Sequence, residues 1–297
     1  MKPSESLPVS SNTPSGRIGV IAGGGALAPA VVQTLLKTGV VPFVVIVEGE
    51  AQDHAAFAGA DCVVMKLEEF GLLVPRLKSA GVKRLVMAGS IMRRPRLRSI
   101  RWAVSTLKLI PRVAAAITRG DDGLLRGVVE IMESNGITVV GSHEIVPDML
   151  APVGVMTVAR PTAQDECDLM AASDAAIAIG ELDIGQGAIS VGGRVIALEG
   201  IEGTDGLLER TVDLRSHGRI VGKMRGVLVK RCKPQQELRT DLPAIGPETV
   251  TQAHAAGLVG IGVDPGRSFI LDFEETIARA DQLGIFIIGL PSDGGAK

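Results

Sequence analysis

Tyrosine does not occur in this sequence, tryptophan occurs once and phenylalanine six times, so aromatic residues make up only 2% of the chain. Proteins that hold single-stranded nucleic acid stack bases on aromatic rings, and that scarcity argues against nucleic acid as a partner. The three cysteines, Cys62, Cys167 and Cys232, form no C-x-x-C pair. An odd count at wide spacing predicts reduced thiols in the cytoplasm and no disulfide. The four histidines, His54, His143, His217 and His254, are scattered and no H-E-x-x-H is present, which disfavours a zinc hydrolase. No G-x-S-x-G elbow and no G-x-x-x-x-G-K-[ST] loop occurs, so serine-esterase and P-loop kinase chemistry find no support. No apolar run reaches the roughly 18 residues that a membrane-spanning helix needs. One absence is regional: residues 71 to 120 hold no Asp or Glu but twelve Lys or Arg, a local positive field inside a chain whose formal net charge is -2.

What is present is an aliphatic, glycine-rich chain of 297 residues, 46% hydrophobic and with 37 glycines. That length exceeds one typical domain and predicts two, each large enough for its own core. The first fifteen residues are polar and rich in Ser and Pro, without an apolar h-region, so 1–15 is expected to be a disordered tail and not a signal peptide.

From Arg17 the pattern alternates. RIGVIA reads as a buried strand, followed by three glycines and a helical stretch that stops at Gly39; PFVVIVEG, DCVVMKL and RLVMAGS read as further strands, and ITVVG as the last of the half. This spacing predicts a Rossmann-like parallel sheet over 16–150. Residues 147 to 161 contain three prolines and lose periodicity, so a linker is expected at 151–163, before a second α/β domain over 164–292. There AISV, RVIALEGIE, VLVKRC, VGIGV, SFILD and IFIIGL read as strands between helices.

Several groups of residues could carry chemistry. Gly23, Gly24 and Gly25 open a G-x-G-x-x-A loop between a strand and a helix, with Glu48 at the end of the next strand. Such glycines let backbone amides approach a pyrophosphate while the acid bonds a ribose, although a tight turn alone would also select them. Arg93, Arg94, Arg96, Arg98 and Arg101 are interleaved with Ile91, Met92, Leu97, Ile100 and Trp102, a combination suited to an anionic amphiphile, a membrane face or a subunit interface. Asp121 and Asp122 start a helix, where they either cap it or touch a ligand.

The second half gathers acids and bases at strand ends. Glu199 and Glu202 follow one strand, Thr204 and Asp205 precede a helix, Lys230 and Lys233 follow another strand, and Arg239 and Asp241 lie in a loop stiffened by Pro243 and Pro247. Hard carboxylate oxygens beside cations suit a Mg²⁺-dependent phosphoryl site, in which acids hold the metal and Lys or Arg neutralises phosphate oxygens. A helix cap for Asp205 and a snorkelling lysine for Lys230 are the plain alternatives.

The ordered series IAGGG, RRPRL, GDDGLLRGVVEIME, VVGSHEIVPDMLAP, DIGQGAISVGGRVIALEGIEGTDGLLER, GVLVKRCKPQQELRTDLPAIGPETV and AGLVGIGVDPG resembles, along nearly the whole chain, the UDP-2,3-diacylglucosamine pyrophosphatases of lipid A synthesis. The resemblance implies hydrolysis of UDP-2,3-diacylglucosamine to UMP and 2,3-diacylglucosamine 1-phosphate (lipid X), with Mg²⁺, in the cytoplasm at the inner-membrane surface. It puts the essential aspartate of the D-L-P-x-I-G motif on Asp241 and the E-G-T-D motif on Glu202 to Asp205. Where that family's glycine loop runs GGG-x-(L/F)-P, this chain has Ala28 before Pro29. The expected catalytic set is therefore Asp241, Asp205, Lys230, Lys233 and Arg239, with Asp241, Asp205 and Glu202 on the metal. Gly23, Gly24, Gly25, Arg93, Arg94, Asp121, Asp122 and Thr204 are expected to touch substrate, in a protein expected to be a homodimer. An NAD-dependent oxidoreductase, resting on the glycine loop, and a non-catalytic binder of acylated nucleotide sugars are the rival readings.

Overall fold

The computed structural model describes residues 16–51, 53–93, 100–101, 120–220 and 225–291, with the backbone alone for 120–122. The expected tail and most of the arginine-rich stretch, Arg94, Arg96 and Arg98 included, lie outside the described residues. The chain divides into two compact units, Met1–Pro111 with Val129–Val140 and Arg112–Val128 with Gly141–Lys297. No helix among the described residues is long and apolar enough to cross a membrane.

The first unit is built on β1 (Arg17–Ala22), α1 (Leu27–Lys37), β2 (Phe43–Val47), β3 (Asp61–Met65), α2 (Leu73–Ser79), β4 (Val82–Ala88) and β5 (Thr138–Val140). Its five strands are parallel in the order β3-β2-β1-β4-β5, the Rossmann-like sheet that the alternating pattern predicts. Strands buried on both faces read as unbroken aliphatic runs, which is why β1 and β2 are legible as RIGVIA and FVVIV. Val31, Val32 and Leu35 bury one stripe of α1, and Gly39 at φ 79 ends the helix in the left-handed conformation that only glycine adopts cheaply. Ala28 is fully buried in the first turn of α1.

A 15-residue helix, α3 (Gly120–Ser134), precedes β5, and α4 (Ser142–Ile145) follows it. The second unit continues with β6 (Gly154–Val155), α5 (Ala163–Glu181), β7 (Gly187–Val191), β8 (Arg194–Leu198), α6 (Gly203–Leu214), β9 (Val227–Lys230), β10 (Ala244–Ile245), α7 (Pro247–Ala255), β11 (Gly260–Val263), β12 (Phe269–Ile270), α8 (Phe273–Leu283) and β13 (Phe286–Gly289). Its main sheet has the order β6-β13-β11-β9-β7-β8 and is mixed, since β9, β11 and β13 are parallel while β7 opposes β9 and β8 opposes β7. Two reversals return β8 to the direction of β9, so both strands end at the same edge.

Within 151–163, where the prolines suggest a linker, the chain is built into this sheet. Val155 pairs with Ile288, Met156 N donates to Ile287 O at 2.9 Å, and Ile287 N donates to the Thr157 hydroxyl at 3.0 Å. Proline spoils sequence periodicity without preventing the neighbouring amides from finding partners on a sheet edge. A second difference lies after β8. Where RVIALEGIE reads as one strand, the strand stops at Leu198 and Gly203 at φ 70 turns the chain into α6, so Glu202 becomes the residue before the helix and Thr204 and Asp205 fall in its first turn.

Buried acids hold α5 in place. Its capping pair is Thr162 with Asp165, and Asp168 accepts from the Ser190 hydroxyl at 2.7 Å and the amides of Gly192 and Gly193 at 3.1 and 2.6 Å. Those bonds dock the helix on the β7–β8 hairpin and satisfy a carboxylate that is fully shielded from solvent.

Candidate functional site

In the second unit, the carboxyl ends of β8, β9 and β11 and the start of β7 share one edge, where α/β proteins place their ligands. Four polar groups stand there: Gln186 before β7, Glu199 after β8, Lys230 at the end of β9 and Asp264 after β11. All but Gln186 are nearly inaccessible, with 5%, 5% and 8% of Glu199, Lys230 and Asp264 exposed.

Lys230 is the centre of this group. Its amine donates to Ala244 O at 2.9 Å. Burial pushes its pKa down, while the carboxylates of Glu199, Asp241 and Asp205, in that order, pull it back up. Two acids from the β8–α6 segment and one from the β9–β10 loop therefore act on one buried lysine. Glu199 is held from two sides, accepting from Gln186 N at 3.0 Å and from the Thr204 hydroxyl at 2.8 Å. Thr204, expected on the substrate, thus orients Glu199. Asp241 accepts on Oδ2 from Gln236 Nε2 at 2.6 Å.

The other expected site residues are paired elsewhere. Glu202 accepts from Arg210 at 2.6 Å, and its own backbone amide and that guanidinium hold its carboxyl below the usual glutamate range. Lys233 Nζ lies 2.7 Å from Asp183. Arg239 grips both oxygens of Glu237 at 2.8 and 2.9 Å, a fork that lowers the Glu237 pKa. Among the described residues no three His, Cys, Asp or Glu side chains stand close enough to hold a metal ion as a cluster.

The base of the loop carrying Asp241 is anchored. Asp264 accepts from Cys232 N at 2.6 Å and pairs with Arg231 Nε at 3.1 Å, joining the end of β9 to the end of β11. Burial, the largest influence, pushes the Cys232 thiol up to about 11, so it packs as a neutral side chain.

In the first unit the glycine loop has a different use for two of its amides. Gly23 N donates to Ala88 O and Gly24 N to Ser90 O, each at 2.8 Å, while Ser90 N returns a bond to Gly24 O at 3.0 Å. A Cβ on Gly23 would lie 2.4 Å from Ser90 O, so this crossing of two backbones requires glycine. Gly25, at φ 86, has open space beside it. A cavity of about 380 Å³ lies here, lined by Gly23, Gly25, Pro29, Glu50, Ala51, Asp53 and Phe57. Its acids are Glu50 and Asp53, and not Glu48. Glu50 accepts from the amides of Met92 and Arg93 at 3.0 and 3.2 Å, whereas Glu48 lies 3.9 Å from Lys66 and gives its carbonyl to Arg93 at 2.5 Å. Arg93 is thus tied to the β2 end. Arg94 and the side chains of Asp121 and Asp122 lie outside the described residues.

Sequence reasoning passed over Gln236, Gln186 and Asp264, and it noticed Glu199 only as a strand-end acid. Glutamine carries no charge pattern to find, and Asp264 reads as an ordinary loop aspartate in VDPG. Neither becomes visible until β9 and β11 lie side by side.

Comparison with known proteins agrees along both halves. Residues 17–149 match the LpxI N-terminal domain and residues 152–288 the LpxI C-terminal domain. The UDP-2,3-diacylglucosamine pyrophosphatase LpxI of Caulobacter vibrioides is 37% identical over 278 residues, spanning 92% of this chain and 97% of that protein. Among solved structures, the crystal structure of gox2253 aligns with 91% of this chain and 75% of its own at 13% identity and a TM-score of 0.32, a likeness too low to bear on the fold. With both domain profiles matched in order and a named member aligned almost end to end, the chain belongs to the LpxI family.

Proposed function

We propose that this protein hydrolyses the diphosphate of UDP-2,3-diacylglucosamine, releasing UMP and 2,3-diacylglucosamine 1-phosphate. The observation that carries the reading is the 37% identity over 97% of a protein named for that activity. The edge site in the second unit supports it. Glu199, Asp241 and Asp205 are the carboxylates whose charge acts on the buried Lys230.

A divalent cation bound there would add positive charge beside these acids. Mg²⁺ keeps several waters and binds through one or two carboxylates together with substrate phosphates, so it needs no three-carboxylate cage. We assign it to Asp241 and Asp205. Glu202, expected beside them, is engaged by Arg210. When bound, the ion draws charge from the diphosphate and acidifies a water.

Hydrolysis adds one water across the anhydride: the water oxygen bonds one phosphorus, and the bridging oxygen leaves with the other. In this reading Lys230 acts from beneath the acids through its charge, with its buried amine donating to Ala244 O. Lys233 and Arg239 sit at the site's margin, each beside an acid that a phosphate oxygen could displace. The substrate's two acyl chains hold it in a bilayer, so the reaction belongs at the cytoplasmic membrane surface. The arginine-and-aliphatic composition around 91–104 suits that surface, and it also suits the subunit contact of a homodimer.

The test is incubation of the purified protein with UDP-2,3-diacylglucosamine, with Mg²⁺ or with a chelator. UMP and lipid X should appear with the metal and largely disappear with the chelator. Asp241→Ala should lower turnover by about 10²–10³-fold while leaving the fold intact. Absence of UMP from the wild-type protein at any Mg²⁺ concentration would defeat the proposal.

A further inference from the structure

Gln236 stands five residues before Asp241 in the loop between β9 and β10, and only 7% of it is exposed. Both ends of its amide are used. Oε1 accepts from Lys233 N at 2.9 Å and from the Cys232 thiol at 3.1 Å. A backbone amide can only donate, so the atom facing it must be the oxygen, and Nε2 must therefore face Asp241. There it donates to Oδ2 at 2.6 Å, a short bond strengthened by the carboxylate's charge. Among the described residues Gln236 is the side-chain partner of Asp241, and it occupies one of the two carboxylate oxygens.

The anchorage behind Gln236 is firm. Cys232 N is held by Asp264, Arg231 pairs with the same acid, and Gln236 N closes the turn on Lys233 O at 3.1 Å. The chain of contacts runs from the ends of β9 and β11 through Lys233 N and the Gln236 amide to the carboxylate of Asp241. A loop aspartate without such support would be free to rotate about both side-chain torsions.

We propose that Gln236 is a positioning residue for the reaction: by fixing Oδ2 of Asp241 it sets the plane of that carboxylate and leaves Oδ1 as the oxygen with which Asp241 would hold the divalent cation. This rests on the role given to Asp241 above.

Gln236→Glu separates positioning from structural support. Glutamate matches glutamine in size and still accepts from Lys233 N, but once ionised it cannot donate to Asp241, so the comparison is made at a pH high enough to ionise both carboxyls. Its kcat should fall about 10–100-fold with KM within about twofold of wild type, the size of effect seen when a supporting partner of a site carboxylate is lost. Gln236→Met, which removes all three of these side-chain bonds, should lose at least as much. If Gln236→Glu keeps wild-type kcat, or if KM rises while kcat holds, the proposal is overturned, because then the amide supports only the loop or only binding. Where Gln236→Glu fails to fold, Gln236→Met decides in its place by the same criterion. A crystal structure of the folded variant reads the claim without catalysis: a rotated Asp241 carboxylate supports it and an unmoved one overturns it. Asp241→Ala, assayed in parallel, separates the two levels. An active Asp241→Ala removes the role of Asp241 and this inference with it, whereas an inactive Asp241→Ala beside fully active Gln236 variants removes only the inference.

Discussion

The buried amine of Lys230 donates to the carbonyl oxygen of Ala244 across 2.9 Å. That bond ties the end of β9 to the start of β10 and closes the loop on which Asp241 is carried. It also keeps a positive charge beneath the carboxylates of Glu199, Asp241 and Asp205. The lysine is thus a structural tie and an electrostatic support at once, and both roles depend on its being shielded from water.

Replacing Lys230 with methionine keeps the aliphatic volume and removes the charge. Ala244 O then loses its donor, at a cost of about 1–3 kcal/mol, and the three acids face one another without a counter-charge. Turnover should drop by about 10²-fold or more, with a lower urea midpoint. Near-normal turnover in Lys230→Met would remove the lysine from the site's electrostatics.

Gly23 and Gly25 stand two residues apart in the motif but should answer differently to alanine. At Gly23 a new Cβ would sit 2.4 Å from Ser90 O and 2.9 Å from the Gly89 carbonyl carbon, and backbone cannot move aside as a side chain can. Gly23→Ala should therefore cost roughly 1–3 kcal/mol through displacement of the β1–β4 crossing. Gly25→Ala meets nothing within 4 Å and carries only the strain of φ 86, roughly 1–2 kcal/mol. Urea unfolding compares them. Loss of the Gly24–Ser90 bridge, seen as faster amide exchange at Ser90, should follow Gly23→Ala and not Gly25→Ala.

Asp165 gives the protein part of its acid sensitivity. Burial works to raise its pKa, but hydrogen bonds from Arg225 and Thr162 and the Arg225 charge outweigh it, and the net shift is downward. A carboxylate whose folded pKa lies below its unfolded value, about 3.9, stabilises the fold above that value and stops doing so as pH falls through the folded pKa. Wild-type stability should therefore decline below about pH 4. Asp165→Asn should be less stable at pH 7, by roughly 1–3 kcal/mol, and should show a shallower decline in the acid window. Parallel stability-versus-pH curves for the two proteins would contradict this account.

Much of the first unit was legible in the linear chain. Parallel strands covered on both faces need aliphatic runs, so β1 and β2 announce themselves, and Gly39 marks the end of α1. The second sheet was less legible. Its strands could be found, but pairing β7 antiparallel between β8 and β9, and adding β6 from a proline-rich stretch, depends on contacts that periodicity does not encode.

The candidate site divides in the same way. Composition and position placed Lys230 at a strand end, Asp205 before a helix and Asp241 in a proline-stiffened loop, where acids and bases of a phosphoryl site belong. The same reasoning could not know that Glu202 would close on Arg210, Lys233 on Asp183 and Arg239 on Glu237, because ion pairs at short range are chosen by side-chain geometry. Nor could it find Gln236, whose only signature is the direction of an amide.

By itself the sequence determined which segments are buried, where the chain must turn and which chemical groups sit at the ends of strands, since burial and turning are properties of local composition. Only the tertiary structure decided which of those groups meet. Lys230, the pair Glu199 and Asp205, and Asp241 come from three separate stretches, and hydrogen bonds and Coulomb forces act over a few ångströms, a distance along the sheet edge and not along the chain.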